Sequence, residues 1–332
     1  MRRPTLHDVA AEAGVSIKTV SRVVNGGSNV SPEVRERVEG AVERLHYVPN
    51  TLARSLKAGT GDTIGVVIDT IADPFFATLT SAVEERALDL GLGTVFGSTG
   101  FDPARERRQV ERMAMQRVRA LILAPTEGPH DYLDRFQAFP VVAIDRATTV
   151  GGFDTVRVDD FGLARAAVSH LTGHGHRRVA FVGSDERFVT TRDRLRGYHE
   201  ALAAAGIEPD PALVRPGPTR DVDATEVVLE LLGEPFPPTA IFAANPRAAI
   251  GVAHALHTTN RADVAFVSFG DFPLATTLTP GVTIVDQNPT SIGLAAMDRV
   301  LARLEDGDAP VQDVLVDALL VPRGSGEIEA PA

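Results

Sequence analysis

Short apolar segments alternate with longer amphipathic segments along most of the chain, and this alternation restricts the possible folds more than any other feature. The apolar segments lie at 64–68, 94–96, 120–123, 141–144, 179–182, 240–243 and 264–267. The segments between them have the spacing of helices, at 76–90, 105–116, 160–171, 192–205, 248–256 and 291–304. Strands without regular polar positions are buried on both faces, so the pattern predicts parallel sheets covered by helices on both sides.

The series occurs twice, which predicts two doubly wound α/β lobes. The first lobe would comprise residues 63–158 and 290–320, and the second lobe residues 159–289 together with the tail 321–332. We expect the chain to cross between the lobes near Val158 and again at 286–289. Ligands of such sheets bind outside the carboxyl ends of the strands, so a cleft between the lobes is the candidate small-molecule site.

Residues 1–49 follow a different, purely helical pattern. A first helix is predicted from a helical apolar stripe, a capping box of Thr5 and Asp8, and a terminating Gly14. That stripe consists of Leu6, Val9, Ala10 and Ala13. Ser16 would cap a second helix, and Ser31 with Pro32 would open a third. Two short helices joined by a tight turn are typical of a helix-turn-helix domain.

The outward face of the second predicted helix carries groups that suit nucleic acid. It presents Ile17, Lys18, Ser21, Arg22 and Asn25, and no acidic residue lies between Gly14 and Pro32. Such side chains read base edges in the major groove and bind phosphates. A three-helix bundle whose acid-free face arose by chance remains the alternative at this point.

The charge distribution agrees with a DNA-binding segment. Residues 1–60 contain nine basic and six acidic residues, a net charge of +3. The rest of the chain has a net charge of −14, which gives the overall value of −11. A basic segment on an acidic protein is expected when one module contacts phosphates and the other does not. Chance variation within a short window is the alternative explanation.

Several classes of protein are disfavoured by what the sequence lacks. There is no cysteine, which excludes disulfides, thiol catalysis and cysteine-ligated metals. No apolar run approaches the roughly 18 residues of a membrane span, and the N-terminus lacks the apolar core of a signal peptide, so we expect a cytoplasmic protein. No Gly-X-Ser-X-Gly stretch or paired carboxylates indicate catalysis, so we predict neither an enzyme nor a cofactor.

Two motifs have simpler explanations than the ligand sites they suggest. The glycines at 91–97 precede a strand, whereas a dinucleotide-binding fingerprint follows a strand and opens a helix. His170, His174 and His176 have no acidic residue or cysteine beside them in the sequence, and we interpret them as a helix end before a strand rather than a metal site.

Residues 5–25, from Thr5 to Asn25, resemble the headpiece of the LacI/GalR family of bacterial transcription repressors. The segments 47–50 and 52–56 resemble the family's hinge. The resemblance implies that Ile17, Lys18 and Arg22 read bases. It also implies that phosphates are contacted by Thr5, Ser16, Thr19, Ser21, Asn25 and Ser31, with further DNA contacts from Leu6, Tyr47, Asn50, Ala53 and Leu56.

The resemblance makes residues 50–62 a hinge helix followed by a linker. The helix would span 50–57, about two turns, which is too short to persist alone in water. It would therefore order against its twin and the minor groove, where Leu56 would wedge into the central base step and kink the duplex. Without DNA, we expect this segment to behave as a flexible linker.

The remaining chain resembles the family's effector-binding core, which is similar to periplasmic binding proteins. The resemblance implies that Phe75 and Phe76 form an apolar platform, Asp145 accepts from ligand hydroxyls and Arg194 binds ligand oxygens. Thr190 and Asn245 would add hydrogen bonds. From the residues alone, the two phenylalanines could equally be core residues, and Arg194 could form a salt bridge between the lobes.

Two positions depart from the family pattern. Pro246 follows Asn245, where the family usually has aspartate, and Gly270 occupies the position of a ligand-binding acid. Either Asp271 replaces that acid or the contact is missing.

The leading hypothesis is a repressor that binds a pseudo-palindromic operator and is controlled by a small molecule, for which the family implies a sugar more often than a nucleobase. The tail at 320–326 has no leucine heptads, so we expect a homodimer rather than a tetramer. The alternative is a two-lobe solute-binding protein or enzyme with a vestigial head.

Overall fold

The computed structural model describes residues 4–24, 30–47, 61–136, 139–217 and 221–332, with the backbone alone at Asp221. The chain divides into two units, Met1–Gly61 and Asp62–Ala332, which we call the head and the core. Among the described residues, no helix is long and apolar enough to cross a membrane.

The head contains α1 (Leu6–Ala13), α2 (Ile17–Val24) and α3 (Pro32–Arg44). The predicted capping box is confirmed, because the Thr5 amide donates to Asp8 Oδ2 at 2.7 Å and the Asp8 amide donates to Thr5 Oγ1. Gly14 ends α1 in the left-handed conformation, with φ of 61°. Ser16 caps α2, since its Oγ accepts from the Thr19 amide at 3.1 Å.

The start of α3 differs in one respect from the prediction. Ser31 occupies the N-cap position and Pro32 the first turn, but the Ser31 side chain makes no capping hydrogen bond. Helix α3 nevertheless packs against the other two helices through Val38 and Ala41. The buried core of the head consists of Val9, Ala10, Ala13, Val20, Val23, Val38, Ala41 and Tyr47.

The core contains two sheets, as predicted. The first comprises β1 (Thr63–Ile68), β2 (Gly93–Ser98), β3 (Ala120–Leu123), β4 (Val141–Ile144), β5 (Asp154–Arg157) and β11 (Asp313–Leu315). These strands are all parallel, in the order β11-β5-β4-β3-β1-β2. They pack with α4 (Pro74–Asp89), α5 (Pro103–Met115) and α10 (Pro289–Glu305), and a 3-10 helix spans Asp131–Arg135.

The second sheet comprises β6 (Val179–Gly183), β7 (Val214–Pro216), β8 (Ala240–Ala243), β9 (Ala265–Phe269), β10 (Thr283–Asp286) and β12 (Leu319–Val321). Its order is β12-β10-β9-β8-β6-β7, and β12 alone runs antiparallel among these strands. Its helices are α6 (Asp160–Gly173), α7 (Val189–Ala204), α8 (Asp221–Gly233) and α9 (Pro246–Thr258), with a 3-10 turn at Pro211–Leu213.

Strand β1 is apolar along its length because both of its faces are buried. Ile64, Val66 and Ile68 pack in a cluster that includes residues of α4 and α10, whereas Val67 packs in a second cluster with Val110 of α5. Alternate side chains are therefore buried on opposite faces of the sheet, as in other doubly wound folds.

The last part of the chain crosses to the second lobe a few residues earlier than predicted. Strand β11 pairs with β5 in the first sheet, but β12 pairs with β10 in the second. The predicted boundary at residue 320 therefore falls inside β12. The physical reason is that the first sheet uses Asp313–Leu315 as an edge strand and the second sheet uses Leu319–Val321, so the chain changes lobes between them.

Candidate functional site

The second helix of the head and its capping residue Ser16 carry six of the fourteen residues predicted to bind DNA. Ile17 is 40% exposed, and Lys18, Arg22 and Ser16 are also exposed, while Thr5, Leu6, Thr19 and Ser21 are half-buried. Ser31 is exposed at the start of α3. Within the described residues, neither Lys18 nor Arg22 forms an ion pair. The two cations on α2 are thus available to bind a polyanion.

Other cations of the head are used internally. Arg37 donates to the carbonyls of Ala13 and Gly14, which holds α3 against the turn before α2, and Arg44 pairs with Glu12 at 3.0 Å. These contacts fix the relative positions of the three helices. They leave α2 as the helix whose basic groups face outward.

Some predicted DNA contacts are not part of this surface. Tyr47 is 7% exposed and packs in the apolar core of the head, because its ring lies against the inward residues of the helices. Asn25, Asn50, Ala53 and Leu56 lie outside the described residues, as does most of the predicted hinge at 50–62.

In the core, six of the predicted effector-binding residues line one cleft between the lobes. They are Phe75, Phe76, Asp145, Thr190, Arg194 and Asn245. Asp145 follows β4 of the first sheet, and Asn245 follows β8 of the second. The cleft is therefore built at the carboxyl ends of parallel strands, where doubly wound folds bind ligands.

The two phenylalanines form an aromatic wall of the cleft. Phe75 and Phe76 lie in the first turn of α4, with ring centroids 5.0 Å apart and planes at 72°. Asp73 caps this helix by accepting from the Phe75 amide at 3.0 Å. Both rings also belong to the core of the first lobe, and their role as a ligand platform stays a prediction.

A buried ion cluster forms the floor of the cleft on the first lobe. Arg146 donates to Asp145 Oδ2 at 2.5 Å and to Asp69 Oδ2 at 2.7 Å, and its Nε donates to the Pro125 carbonyl. All three side chains are less than 10% exposed. Burial raises the pKa of Asp69 to about 6, against the opposing effect of Arg146. Asp145 keeps one oxygen, Oδ1, that Arg146 does not use.

Arg194 is held firmly by the second lobe. Its Nε donates to Asp160 Oδ1 at 2.7 Å, its Nη1 donates to the Ala244 carbonyl at 2.7 Å, and its guanidinium lies 4.0 Å from the Phe269 ring centroid. The salt bridge is therefore within a lobe rather than between lobes. These bonds do not use the Nη2 group of Arg194. Burial raises the pKa of Asp160 to about 6, although the charge of Arg194 lowers it.

Asn245 and Thr190 complete the wall of the second lobe. Asn245 caps α9 through its Oδ1, which accepts from the Ala248 amide at 2.8 Å, and its Nδ2 donates to Ser184 Oγ at 3.0 Å. Thr190 lies in the first turn of α7 and is 8% exposed. The cleft thus combines aromatic rings, carboxylates, a guanidinium and amide groups.

Asp271 does not join this cleft. It pairs with Arg323 through two hydrogen bonds, of 3.0 and 2.8 Å, and lines a different cavity. Nor is there room for an acid at Gly270, where φ is 102° and a Cβ would lie 2.7 Å from Pro246 Cγ and 2.8 Å from Gln287 Oε1. The two departures from the family pattern, Pro246 and Gly270, are in contact.

The three histidines near residue 174 attach the tail rather than form a metal site. His170 Nε2 contacts Glu327 at 2.5 Å and His174 Nδ1 contacts Glu329 at 3.2 Å, while His176 bonds Thr239 Oγ1 and the Ile328 carbonyl. In the described part of the chain, no group of histidines and acids is arranged to hold a metal.

Several cleft residues were not identified from the sequence. Asp69 follows β1, Arg146 comes two residues after β4 and Gln287 follows β10, while Arg247, Phe101 and Phe188 lie on adjoining segments. The first three could have been found, because polar residues directly after apolar strands lie at the ligand-binding edge of the sheet.

Comparison with known proteins identifies the family. Residues 5–50 match the model described as bacterial regulatory proteins, lacI family, and residues 168–326 match a periplasmic binding protein-like domain. The ribose operon repressor of Escherichia coli (strain K12) is 31% identical over 327 residues, covering 97% of this chain and 99% of that protein. The repressor PurR of Haemophilus influenzae (strain PittEE) is 30% identical, covering 93% of each.

The fold of the whole chain is also that of a known repressor. The crystal structure of the lac repressor dimer bound to operator and the anti-inducer ONPF matches with a TM-score of 0.82 and 28% identity, covering 98% of this chain and 99% of that one. These homologues are repressors and not enzymes, which removes the alternative of a two-lobe enzyme or solute-binding protein. The chain belongs to the lacI family of bacterial regulatory proteins and is a transcriptional repressor.

Proposed function

We propose that this repressor binds a pseudo-palindromic operator as a homodimer and releases it when a sugar of the aldopentose class binds between the lobes of the core. The observation that carries the proposal is the convergence of Phe75, Phe76, Asp145, Arg194 and Asn245 on one interlobe cleft. The relative named for the ribose operon supports ribose as the first candidate sugar.

The chemistry of the cleft suits a small polyhydroxylated ring. The free Oδ1 of Asp145 accepts from hydroxyls, and Nη2 of Arg194 donates to a hydroxyl or ring oxygen. Charged hydrogen bonds of this kind are stronger than neutral ones. The face of an aromatic ring offers a surface for the apolar C–H groups of the sugar. Each lobe supplies part of this set, so one ligand contacts both.

Such a ligand controls DNA binding if it favours one arrangement of the lobes over another. A coupling of about 1–3 kcal/mol is typical of allosteric proteins. That would be sufficient to change the order of the hinge helix expected at 50–57, because a helix of two turns is marginal alone. Sugar-sensing relatives are mostly induced, so we expect the sugar to weaken operator binding.

The test begins with selection of DNA from random pseudo-palindromes, followed by titration of the selected operator with and without D-ribose, other sugars and a purine base. Calorimetry on Asp145→Ala and Arg194→Ala then locates the ligand. Arg196→Ala is the matched control, since Arg196 lies on the same helix, is exposed and pairs with Asp193. Unchanged sugar affinity in both cleft variants would exclude this cleft, and response to the purine base alone would exclude the sugar.

A further inference from the structure

Helix α7 begins without a cap from its own lobe. The core helices α4, α5, α6, α9 and α10 each start with an Asp or Asn side chain that accepts a backbone N–H of the first turn. The residue at this position of α7 is Phe188, which makes no side-chain capping bond. Unpaired N–H groups at a helix start need an acceptor, and a helix without one is less stable.

The acceptor for α7 comes from the other lobe. Glu127 lies on the loop after β3, in the first lobe, and its Oε1 accepts from the Val189 amide at 2.8 Å. Its second oxygen lies 4.0 Å from Arg192 Nη2, in the same turn of the helix. A carboxylate at a helix N-terminus is also favoured by the positive end of the helix dipole.

An aromatic contact accompanies this bond across the same opening. Phe101 of the first lobe and Phe188 of the second have ring centroids 5.3 Å apart, and Phe188 is 4% exposed. Both rings line the cleft. The hydrogen bond and the ring contact therefore join the two lobes at the edge of the candidate ligand site.

The loop that carries Glu127 is anchored within the first lobe. Glu106 is 1% exposed and accepts from the Thr126 amide and, at 2.6 Å, from the Tyr132 hydroxyl. Although burial opposes its ionisation, the neighbouring His130 ring, whose Nε2 lies 3.3 Å from Oε1, and hydrogen bonds from Tyr132 and the Thr126 amide hold the pKa of Glu106 below its ordinary value. A fixed backbone at Thr126 presents the next residue, Glu127, to the second lobe.

The helix that Glu127 caps carries two of the predicted ligand residues, Thr190 in its first turn and Arg194 in its second. We propose that Glu127 is a positioning residue for the effector response. It completes α7 when the lobes close, and it thereby stabilises the closed arrangement in which Thr190 and Arg194 face the groups of the first lobe. It acts through α7 and does not itself need to contact the ligand.

This inference rests on the proposed function in one respect, since the effector is taken to bind the closed lobes. A ligand that binds only the closed arrangement has an apparent dissociation constant that rises as the population of that arrangement falls. If a substitution lowers the equilibrium constant for closure by some factor, the apparent dissociation constant rises by up to that factor. Loss of one capping hydrogen bond corresponds to about a fivefold change. Glu127→Ala should therefore bind D-ribose about fivefold more weakly, without a change in the residues that line the cleft.

A distance measurement tests closure without ligand or DNA. The chain has no cysteine, so spin labels attach at Asp134→Cys in the first lobe and Glu208→Cys in the second, both exposed. Diluting labelled chains with unlabelled ones removes distances between subunits. We expect Glu127→Ala to shift the distance distribution away from that of the closed form, and Glu127→Gln, which keeps a neutral acceptor, to give an intermediate result.

The matched control is Glu186→Ala. Glu186 is exposed and lies two residues before Phe188, so its removal deletes a carboxylate near the same helix end without breaking a contact between lobes. Thermal unfolding of each variant checks that the fold is intact. A distance distribution for Glu127→Ala that equals that of the wild type would overturn the proposal. If the wild type bound no sugar, the proposed effector would be wrong, and the distances would still decide the role of Glu127.

Discussion

The α2 surface of the head and the interlobe cleft of the core are constructed in opposite ways. The α2 surface consists of side chains from one helix of eight residues, and its cations Lys18 and Arg22 project outward. The cleft is assembled from strand ends and helix starts of two lobes, and two of its cations, Arg146 and Arg194, are buried and paired with carboxylates.

The difference determines whether a substitution that alters binding also alters the stability of the fold. Exposed cations can be replaced with little effect on folding, because they are solvated in both the folded and the unfolded chain. Buried, paired charges cannot, because removing one partner leaves the other desolvated and uncompensated. Substitutions on α2 should thus alter DNA binding alone, whereas substitutions in the cleft should alter stability as well as ligand binding.

The largest effect is expected from Arg146→Ala. This change leaves Asp69 and Asp145 buried without their cation, and we expect the free energy of unfolding of the core to fall by about 3–5 kcal/mol. The loss should be smaller below pH 6, since a protonated Asp69, whose pKa burial raises to about 6, needs no cation. Urea unfolding as a function of pH measures both effects. A loss as small as that of the exposed control Arg196→Ala would remove the distinction between the two surfaces.

The next effect concerns Arg22→Ala on α2. Operator affinity should fall by about 1–3 kcal/mol per contact, and selection at one base pair in each half-site should relax. The melting temperature should stay the same, because the side chain is exposed. Arg44→Ala, which removes the same charge from α3, is the control and should have a smaller effect on affinity. Equal weakening for every sequence would mean that Arg22 binds phosphate rather than a base.

A smaller change is expected from Thr5→Ala in the capping box of α1. Loss of the cap should destabilise the head by about 1 kcal/mol. The unfolding transition of the core should not move, since Thr5 bonds within its own helix. Hydrogen exchange of α1 and of β1 amides distinguishes the two units. Thr5→Ser, which keeps the hydroxyl, should behave like the wild type, and a matching loss in that variant would contradict the capping explanation.

The smallest effect is a pH dependence that involves Glu106. Its folded pKa is lowered, so the ionised side chain contributes stability that is fully present above the ordinary value of 4.5 and is lost as the pH falls through the folded pKa. Glu106→Gln should therefore lose less stability than the wild type on acidification below pH 4.5. Denaturant titrations on both sides of that pH provide the comparison, and parallel curves would show that Glu106 does not titrate in this range.

The sequence predicted the central strands of both sheets, since β1, β3, β4, β6, β8 and β9 are continuously apolar. It did not identify the edge strand β7, or β5 and β10, each of which lies next to an edge, and it missed α8. Strand β7 is three residues long and β5 contains Asp154 and Arg157, so neither has a pattern of its own. Strand β5 pairs on one side with β11, and β7 pairs with β6, and both of these partners are distant in sequence.

The sites were predictable to different degrees for the same reason. The α2 surface could be inferred because its residues are three or four positions apart on one helix. The cleft residues could be placed near one another through their family resemblance, but the pairing of Arg146 with Asp69 could not be predicted. Asp69 lies 77 residues away, and its proximity follows from the order of strands β1, β3 and β4. Likewise, Glu127 could not be linked to α7 before the lobes were seen together.

The contact between Pro246 and Gly270 constrains the order in which the cleft can be altered. An aspartate introduced at 270 alone would meet the Pro246 ring and Gln287, and it would require a backbone conformation that side chains rarely adopt. Replacing Pro246 first removes one of these two close contacts, while the contact with Gln287 and the positive φ remain. The steric cost of a side chain at 270 therefore depends on the residue at 246, so the two positions are epistatic, and the mutational route that begins at Pro246 has the smaller cost at its second step.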